Sequence, residues 1–105
     1  MGLFGKRKNI NDYIEEARKT PGSLVADVRQ PLEYQAGHIP GSVNIPLTDV
    51  PYAMDRFGSD PDRPIYLYCL TGPRAQQAAA MLRQMGYGQV QAIGGIRQWK
   101  GAIEK

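Results

Sequence analysis

The chain has 105 residues, the size of one domain, and its hydrophobic and charged fractions of 42% and 22% are typical of globular proteins. It contains no run near the roughly 20 apolar residues that cross a bilayer, and its net charge of +3 is not gathered into the basic stripe of a nucleic-acid-binding protein. A single cysteine and a single histidine exclude an internal disulfide and a thiolate or imidazole metal cluster. We therefore expect no membrane, nucleic-acid or metal partner.

The beginning of the chain is basic but lacks the pattern of a secretory signal. Neither an apolar run nor a small-residue cleavage site follows the first residues. We expect residues 1–7 to form a basic N-terminal tail and residues 8–105 to form the domain, with the cytoplasm as its location.

The first half of the chain alternates helical and strand patterns, which Pro and Gly residues separate. The predicted elements are a helix capped by Asn11 and ended by Pro21-Gly22, a strand at 24–28, a short helix from Pro31 to Gly37, a strand at 42–45, and a helix from Thr48 to Gly58.

The second half continues the alternation. Its predicted elements are a strand at 65–69, a helix with apolar residues at 75, 78, 79, 82 and 85 that Gly86 ends, a strand at 89–93, a Gly94-Gly95 turn, and a closing helix at 96–100. Strands separated by helices predict an α/β fold with parallel pairing and helices on both faces of the sheet. Ligands bind beyond the carboxyl ends of such strands, where Asp27 and Cys69 both stand.

The residues after Cys69 favour chemistry at its sulfur. The sequence Leu70-Thr71-Gly72-Pro73-Arg74 leads directly into a helix, whose first N–H groups and positive dipole end face the preceding residue and favour a thiolate. Gly72 can adopt the positive φ that folds amides inward, whereas Pro73 has no N–H to donate. Arg74 has forked donors suited to an oxyanion or a carboxylate.

The alternative for Cys69 is a purely structural role. A lone cysteine at the end of an apolar strand is often a small buried hydrophobe without reactivity. From the residues alone, the two interpretations stay open.

Several stretches, in their order and spacing, resemble the successive signatures of the rhodanese homology domain. They are residues 24–29, Pro31, Glu33-Tyr34, 37–46, 69–74, and Gly94-Gly95 with Trp99. The resemblance covers nearly the whole chain. It implies a rhodanese-like single domain of the thiosulfate sulfurtransferase type, with a mostly parallel central sheet that a short strand near residues 8–10 would join.

The resemblance also implies the roles of the loop residues. Cys69 matches the nucleophile that carries sulfur as a persulfide, and 70–74 match the active-site loop, with Leu70 to Arg74 as substrate-binding residues. The implied reaction moves sulfur from a small anionic donor such as thiosulfate to an external thiol or cyanide and needs no cofactor. Two residues depart from the family pattern: Ala75 replaces a frequent hydroxyl residue, and Pro73 removes an amide.

Asp27 and Arg29 have two possible roles near the loop. In one, Asp27 supports Arg74 while Arg29 binds the anionic substrate; in the other, they form a structural ion pair. Glu33 is expected to stabilise its own helix near the N-terminus.

His38 and Trp99 are expected to be structural. His38 lies in a turn-rich segment, where bracing a loop is favoured over action as a base. Trp99, beside Ile96, is expected in the core.

Two other functions stay open. Cysteine phosphatases and arsenate reductases also place cysteine and arginine at the ends of an amide-lined loop, but their loop is one residue longer than the spacing from Cys69 to Arg74. The shorter loop forms a narrower cradle, better matched to one sulfur than to phosphate. The other function is a non-catalytic rhodanese module for protein recognition or sulfur carriage, although such modules often lack the cysteine that this chain has.

Overall fold

Four short parallel strands form the sheet at the centre of the computed structural model, which describes residues 8–105. The strands are β1 (Leu24–Asp27), β2 (Val43–Asn44), β3 (Ile65–Cys69) and β4 (Val90–Gly95), and their order across the sheet is β2-β1-β3-β4. The predicted α/β class with a parallel central sheet is confirmed.

Helices cover both faces of this sheet. They are α1 (Ile10–Arg18), α2 (Pro31–Ala36), α3 (Met54–Phe57) and α4 (Pro73–Gln84), together with 3₁₀ segments at Leu47–Tyr52 and Ile96–Gln98. No helix within residues 8–105 is long and apolar enough to cross a membrane.

β3 directs its side chains alternately to the two faces, because successive residues of a strand point in opposite directions. Leu67 and Cys69 belong to the core on the α4 side, whereas Tyr66 and Tyr68 belong to the core on the α1 side. Every residue of β3 is buried. Cys69 is therefore the last residue of a fully buried strand in the interior of the sheet.

The first helix begins earlier than predicted, and its cap is Asn9 rather than Asn11. The Asn9 side chain accepts hydrogen bonds from the N–H groups of Asn11 and Asp12, and the Asp12 carboxylate accepts from the Asn9 N–H in return. The strand predicted near residues 8–10 is therefore wrong for the described chain. Asn11 instead bonds the closing segment: its Nδ2 donates to the Gln98 carbonyl and its Oδ1 accepts from the Lys100 N–H.

The single helix predicted from Thr48 to Gly58 is also wrong. A 3₁₀ segment at Leu47–Tyr52 and the one-turn helix α3 occupy this region. Pro51 lies inside the 3₁₀ segment and has no N–H to donate, so a continuous α-helix would lose a hydrogen bond there.

β4 continues through Gly94 and Gly95, which were predicted as a turn. The pairing of β3 with β4 shifts register between Leu67 and Tyr68, and Gly94 adopts a φ of 111°. Such an irregularity absorbs an extra residue without ending the strand. The predicted closing helix is only the 3₁₀ segment Ile96–Gln98, and Trp99 is half-buried against the α1-side core rather than enclosed.

The predicted N-terminal tail at residues 1–7 lies outside the described residues. The predicted domain boundary at residue 8 therefore stays a prediction.

Candidate active site

β3 ends at Cys69, and α4 begins at Pro73, so three residues make the whole connection. Cys69 is 1% exposed, and the Gly72 N–H donates a hydrogen bond to its Sγ at 3.0 Å. Gly72 has a φ of 130°, while a Cβ placed on it would meet nothing within 4 Å. Glycine is therefore required here by backbone conformation and not by lack of space.

The loop rests on the carboxyl end of β4. The Leu70 carbonyl accepts a hydrogen bond from the Arg97 N–H at 3.2 Å. A Cβ on Gly95 would lie 2.2 Å from that carbonyl oxygen and 2.5 Å from Thr71 Cα. The absence of a side chain at Gly95 allows this close approach, which holds the loop against the end of β4.

Arg74 is held by Glu33, a contact that sequence reasoning missed. Arg74 Nη1 donates to Glu33 Oε1 at 2.8 Å and Nη2 to Oε2 at 3.1 Å, and the Gln30 N–H also donates to Oε1. The hydrogen bonds from Arg74 lower the pKa of Glu33 from an ordinary 4.5 to about 2, despite partial burial. The same bonds raise the pKa of Arg74. The pair stays ionised at neutral pH.

Asp27 supports Arg29 and not Arg74, which corrects one of the two roles considered for it. Asp27 is fully buried, and Arg29 Nη2 donates to its Oδ2 at 2.7 Å while Nε donates to both carboxylate oxygens at 3.0 Å. Burial lowers the pKa of Arg29, but the hydrogen bonds and charge of Asp27 more than offset this and raise it. This is the structural ion pair that the residues left open.

Arg29 has little freedom to bind a substrate as predicted. Its side chain is buried, and Nη2 also donates to the Gly37 carbonyl at 2.8 Å. These bonds engage Nε and Nη2, and an anion could be met only through Nη1, which has no hydrogen-bond partner within residues 8–105. Substrate contact by Arg29 stays a prediction.

A cleft of about 640 Å³ opens beside the loop, on the side of β4. Its wall includes Thr71 and Gly72 of the loop and Gln76 of α4. Lys8 and Tyr13 line it as well. The cleft offers room next to the loop for a second reactant.

His38 has the bracing role expected for it. Its ring stacks on Tyr34 with centroids 3.7 Å apart, and its Nδ1 lies 2.8 Å from the Tyr34 carbonyl. Its backbone pairs with Glu104, and its Nε2 lies 3.4 Å from a Glu104 carboxylate oxygen. These contacts tie the end of the chain to the turn after α2.

The comparison with known families identifies the domain. A family model described as the Rhodanese-like domain matches residues 11–102. The chain belongs to this family. Within it, a sulfurtransferase of Allochromatium vinosum is 38% identical over 81 residues, which cover 76% of this chain and 74% of that protein.

Further members of the family agree with this placement. The thiosulfate sulfurtransferase PspE of Escherichia coli is 37% identical over 71 residues, 68% of each chain. The solved structure of a rhodanese with anions from E. coli has a TM-score of 0.73 and 32% identity, and the match covers 79% of this chain and 98% of that one. Members named for sulfur transfer thus resemble this rhodanese-like domain over most of their length.

Other relatives are longer than the matched region. The match spans 61% of the Bacillus subtilis protein YqhL and 29% of a tRNA uridine(34) hydroxylase of Erwinia tasmaniensis. The name of the second protein refers to hydroxylation, but this chain matches less than a third of that protein. The match therefore gives no reason to attribute hydroxylation to this chain.

Proposed function

We propose that this rhodanese-like domain is a sulfurtransferase that carries sulfur on Cys69 as a persulfide. The observation that supports it best is the hydrogen bond from the Gly72 N–H to Cys69 Sγ, inside a loop whose arginine is fixed in place. A donor aimed at this sulfur stabilises the negative charge of the attacking thiolate, and of the thiolate that is released again when the persulfide bond breaks.

The first half-reaction loads the sulfur. The Cys69 thiolate attacks the outer sulfur of thiosulfate, a new S–S bond forms, and the S–S bond within thiosulfate breaks. Sulfite leaves with the electron pair of the broken bond, and the negative charge stays on the terminal sulfur of the persulfide. Sulfite is a weakly basic leaving group, so no general acid is required.

The second half-reaction unloads the sulfur. Cyanide or a thiolate attacks the terminal sulfur, and the electron pair of the persulfide bond returns to Cys69 as thiolate. With one cysteine in the sequence, the chain has no second thiol of its own to accept the sulfur. An external acceptor is therefore required, and the cleft beside Thr71 is where it would approach.

The burial of Cys69 supports small reactants. At 1% exposure the side chain offers little surface, and thiosulfate and cyanide are slender enough to reach a sulfur beneath a short loop. The same geometry disfavours phosphatase activity, since the tight connection between β3 and α4 leaves a narrow cradle. A cytoplasmic location stays a prediction.

Intact mass spectrometry tests the proposal. Incubation with thiosulfate should add the mass of one sulfur atom, and cyanide should remove it with formation of thiocyanate. Cys69→Ser should show neither change. An adduct that persists in Cys69→Ser, or an unmodified wild-type protein, contradicts the mechanism. Phosphomonoester hydrolysis that depends on Cys69, without thiocyanate formation, would assign the chain to the phosphatase class.

A further inference from the structure

We propose that Glu33 is a positioning and specificity-determining residue, which fixes Arg74 as a support of the loop and withdraws its positive charge from anionic donors. This inference rests on the sulfur-transfer function proposed above. It makes the domain selective for sulfur donors of low negative charge.

The geometry gives Glu33 a direct hold on the loop. Both of its carboxylate oxygens pair with the guanidinium of Arg74, which stands at the end of the loop in the first turn of α4. Glu33 is itself fixed from behind, because the Gln30 N–H donates to its Oε1. The contact therefore joins the first turn of α2 to the first turn of α4, across the carboxyl ends of β1 and β3.

The charge balance gives the consequence for substrates. Arg74 is paired with Glu33, and Arg29 is paired with the buried Asp27. Both arginines that the sequence predicts to bind substrate thus face a carboxylate. A neutralised arginine attracts an anion less strongly than a free one does. The loss of electrostatic attraction is larger for a dianion such as thiosulfate than for a monoanionic donor.

Glu33→Gln removes both the charge and one of the two oxygens that accept from Arg74. Glutamine has the size of glutamate and keeps an oxygen for the Gln30 N–H, but it removes the negative charge. The two donors are thiosulfate, a dianion, and benzenethiosulfonate, a monoanion that gives up its outer sulfur to Cys69 and leaves as benzenesulfinate. Rates are measured with cyanide as acceptor.

The expected result is a split between KM and kcat. In Glu33→Gln the KM for thiosulfate falls by about fivefold, the size expected for one half-exposed charge, and the KM for benzenethiosulfonate falls less. The kcat for both donors falls by about tenfold, because Arg74 no longer holds the loop in position. Added salt screens the charges, so it should reduce the fall in KM more for thiosulfate than for benzenethiosulfonate.

Two further variants serve as controls. Glu33→Asp keeps the charge on a shorter side chain, so it should restore the wild-type KM for thiosulfate while kcat stays low. Glu15→Gln makes the same charge change on the exposed surface of α1, where Glu15 pairs with Lys19, and it should alter neither parameter.

The outcomes distinguish this inference from the function on which it rests. If wild-type protein transfers sulfur but Glu33→Gln leaves the ratio of the two KM values unchanged, the role of Glu33 in specificity is overturned and the function stands. If wild-type protein transfers no sulfur from either donor, both proposals are overturned.

Discussion

Gly95 lies so close to Leu70 that a methyl group on Gly95 would stand 2.2 Å from the Leu70 carbonyl oxygen. The neighbouring atoms are backbone, so they cannot move aside as the end of a flexible side chain would. Gly95→Ala should therefore displace the loop, destabilise the domain by about 1–3 kcal/mol, as overpacking does, and lower sulfur transfer. Urea unfolding and a thiocyanate assay measure the two effects.

Gly88→Ala is the matched control for this substitution. The nearest atom to an added Cβ at Gly88 is the Pro61 carbonyl oxygen at 3.9 Å, an ordinary contact. Stability should change by less than about 1 kcal/mol, with activity retained. Equal effects of the two substitutions would mean that the loop does not depend on close approach to Gly95.

Gly72→Ala should lower activity far more than a comparable substitution elsewhere. A side chain at a φ of 130° is strained, and relief of the strain would turn the Gly72 N–H away from Cys69 Sγ. We expect a loss of stability of about 1 kcal/mol or more and a fall in kcat of about tenfold to a hundredfold. Gly86→Ala, at a φ of 107° and with equal space, is the control for strain away from the loop. A Gly86→Ala protein that loses as much kcat would refute a specific role for the Gly72 N–H.

Asp27→Asn should be among the most destabilising single substitutions of the domain. It leaves the guanidinium of Arg29 buried without a counter-charge, a loss of about 3–5 kcal/mol. The double variant Asp27→Asn/Arg29→Gln removes both charges and should lose less stability than Asp27→Asn alone. Asp62→Asn, in an exposed loop, should be neutral. Chemical denaturation of the wild type and these three variants gives the free energies of unfolding to compare. A double variant no more stable than Asp27→Asn would argue against the buried charge as the cause.

The contribution of the Glu33–Arg74 pair to stability should vanish only in strong acid. The folded-state pKa of Glu33 lies near 2 and its ordinary value is 4.5. A lowered folded-state pKa means that the stabilisation is fully present above the ordinary value and is lost as the pH falls toward the folded value. The difference in unfolding free energy between wild type and Glu33→Gln should thus be constant above pH 4.5 and shrink toward pH 2. A difference that is already lost near pH 6 would contradict the pairing.

The order of strands and helices was predictable because apolar periodicity and Pro and Gly signals agree along most of this chain. The residues with special conformations explain the errors. Pro51 breaks a pattern whose apolar spacing still looks helical, and Gly94-Gly95 reads as a turn because a register shift between strands leaves no mark in one sequence. The start of α1 was misplaced because Asn9 and Asn11 both have a side chain that can cap a helix, and the sequence does not show that Asn9 is the one that does.

The loop residues of the candidate site could be predicted from the sequence, but the residue that pairs with Arg74 could not. Cys69, Gly72 and Arg74 follow one another closely, so local spacing indicates them. The partner of Arg74 depends on how the first turns of α2 and α4 meet in space, and Glu33 has an adequate local explanation as a helix-stabilising acid in the first turn of α2. Sequence reasoning therefore considered Asp27 as one possible support of Arg74, a role that Glu33 has in the structure.

The bonds of Asn11 to Gln98 and Lys100 set an order on folding during synthesis. They join residues separated by 87 and 89 positions, and α1 also packs on β3 and β4, which are made much later. As the chain leaves the ribosome, the apolar face of α1 can first meet β1, but its partners in β3, β4 and the closing segment emerge much later. Contacts of such long range form slowly, since the intervening chain must close a large loop first. We therefore expect the first helix to complete its docking late in folding, with Ile10 and Ile14 only partly covered until then.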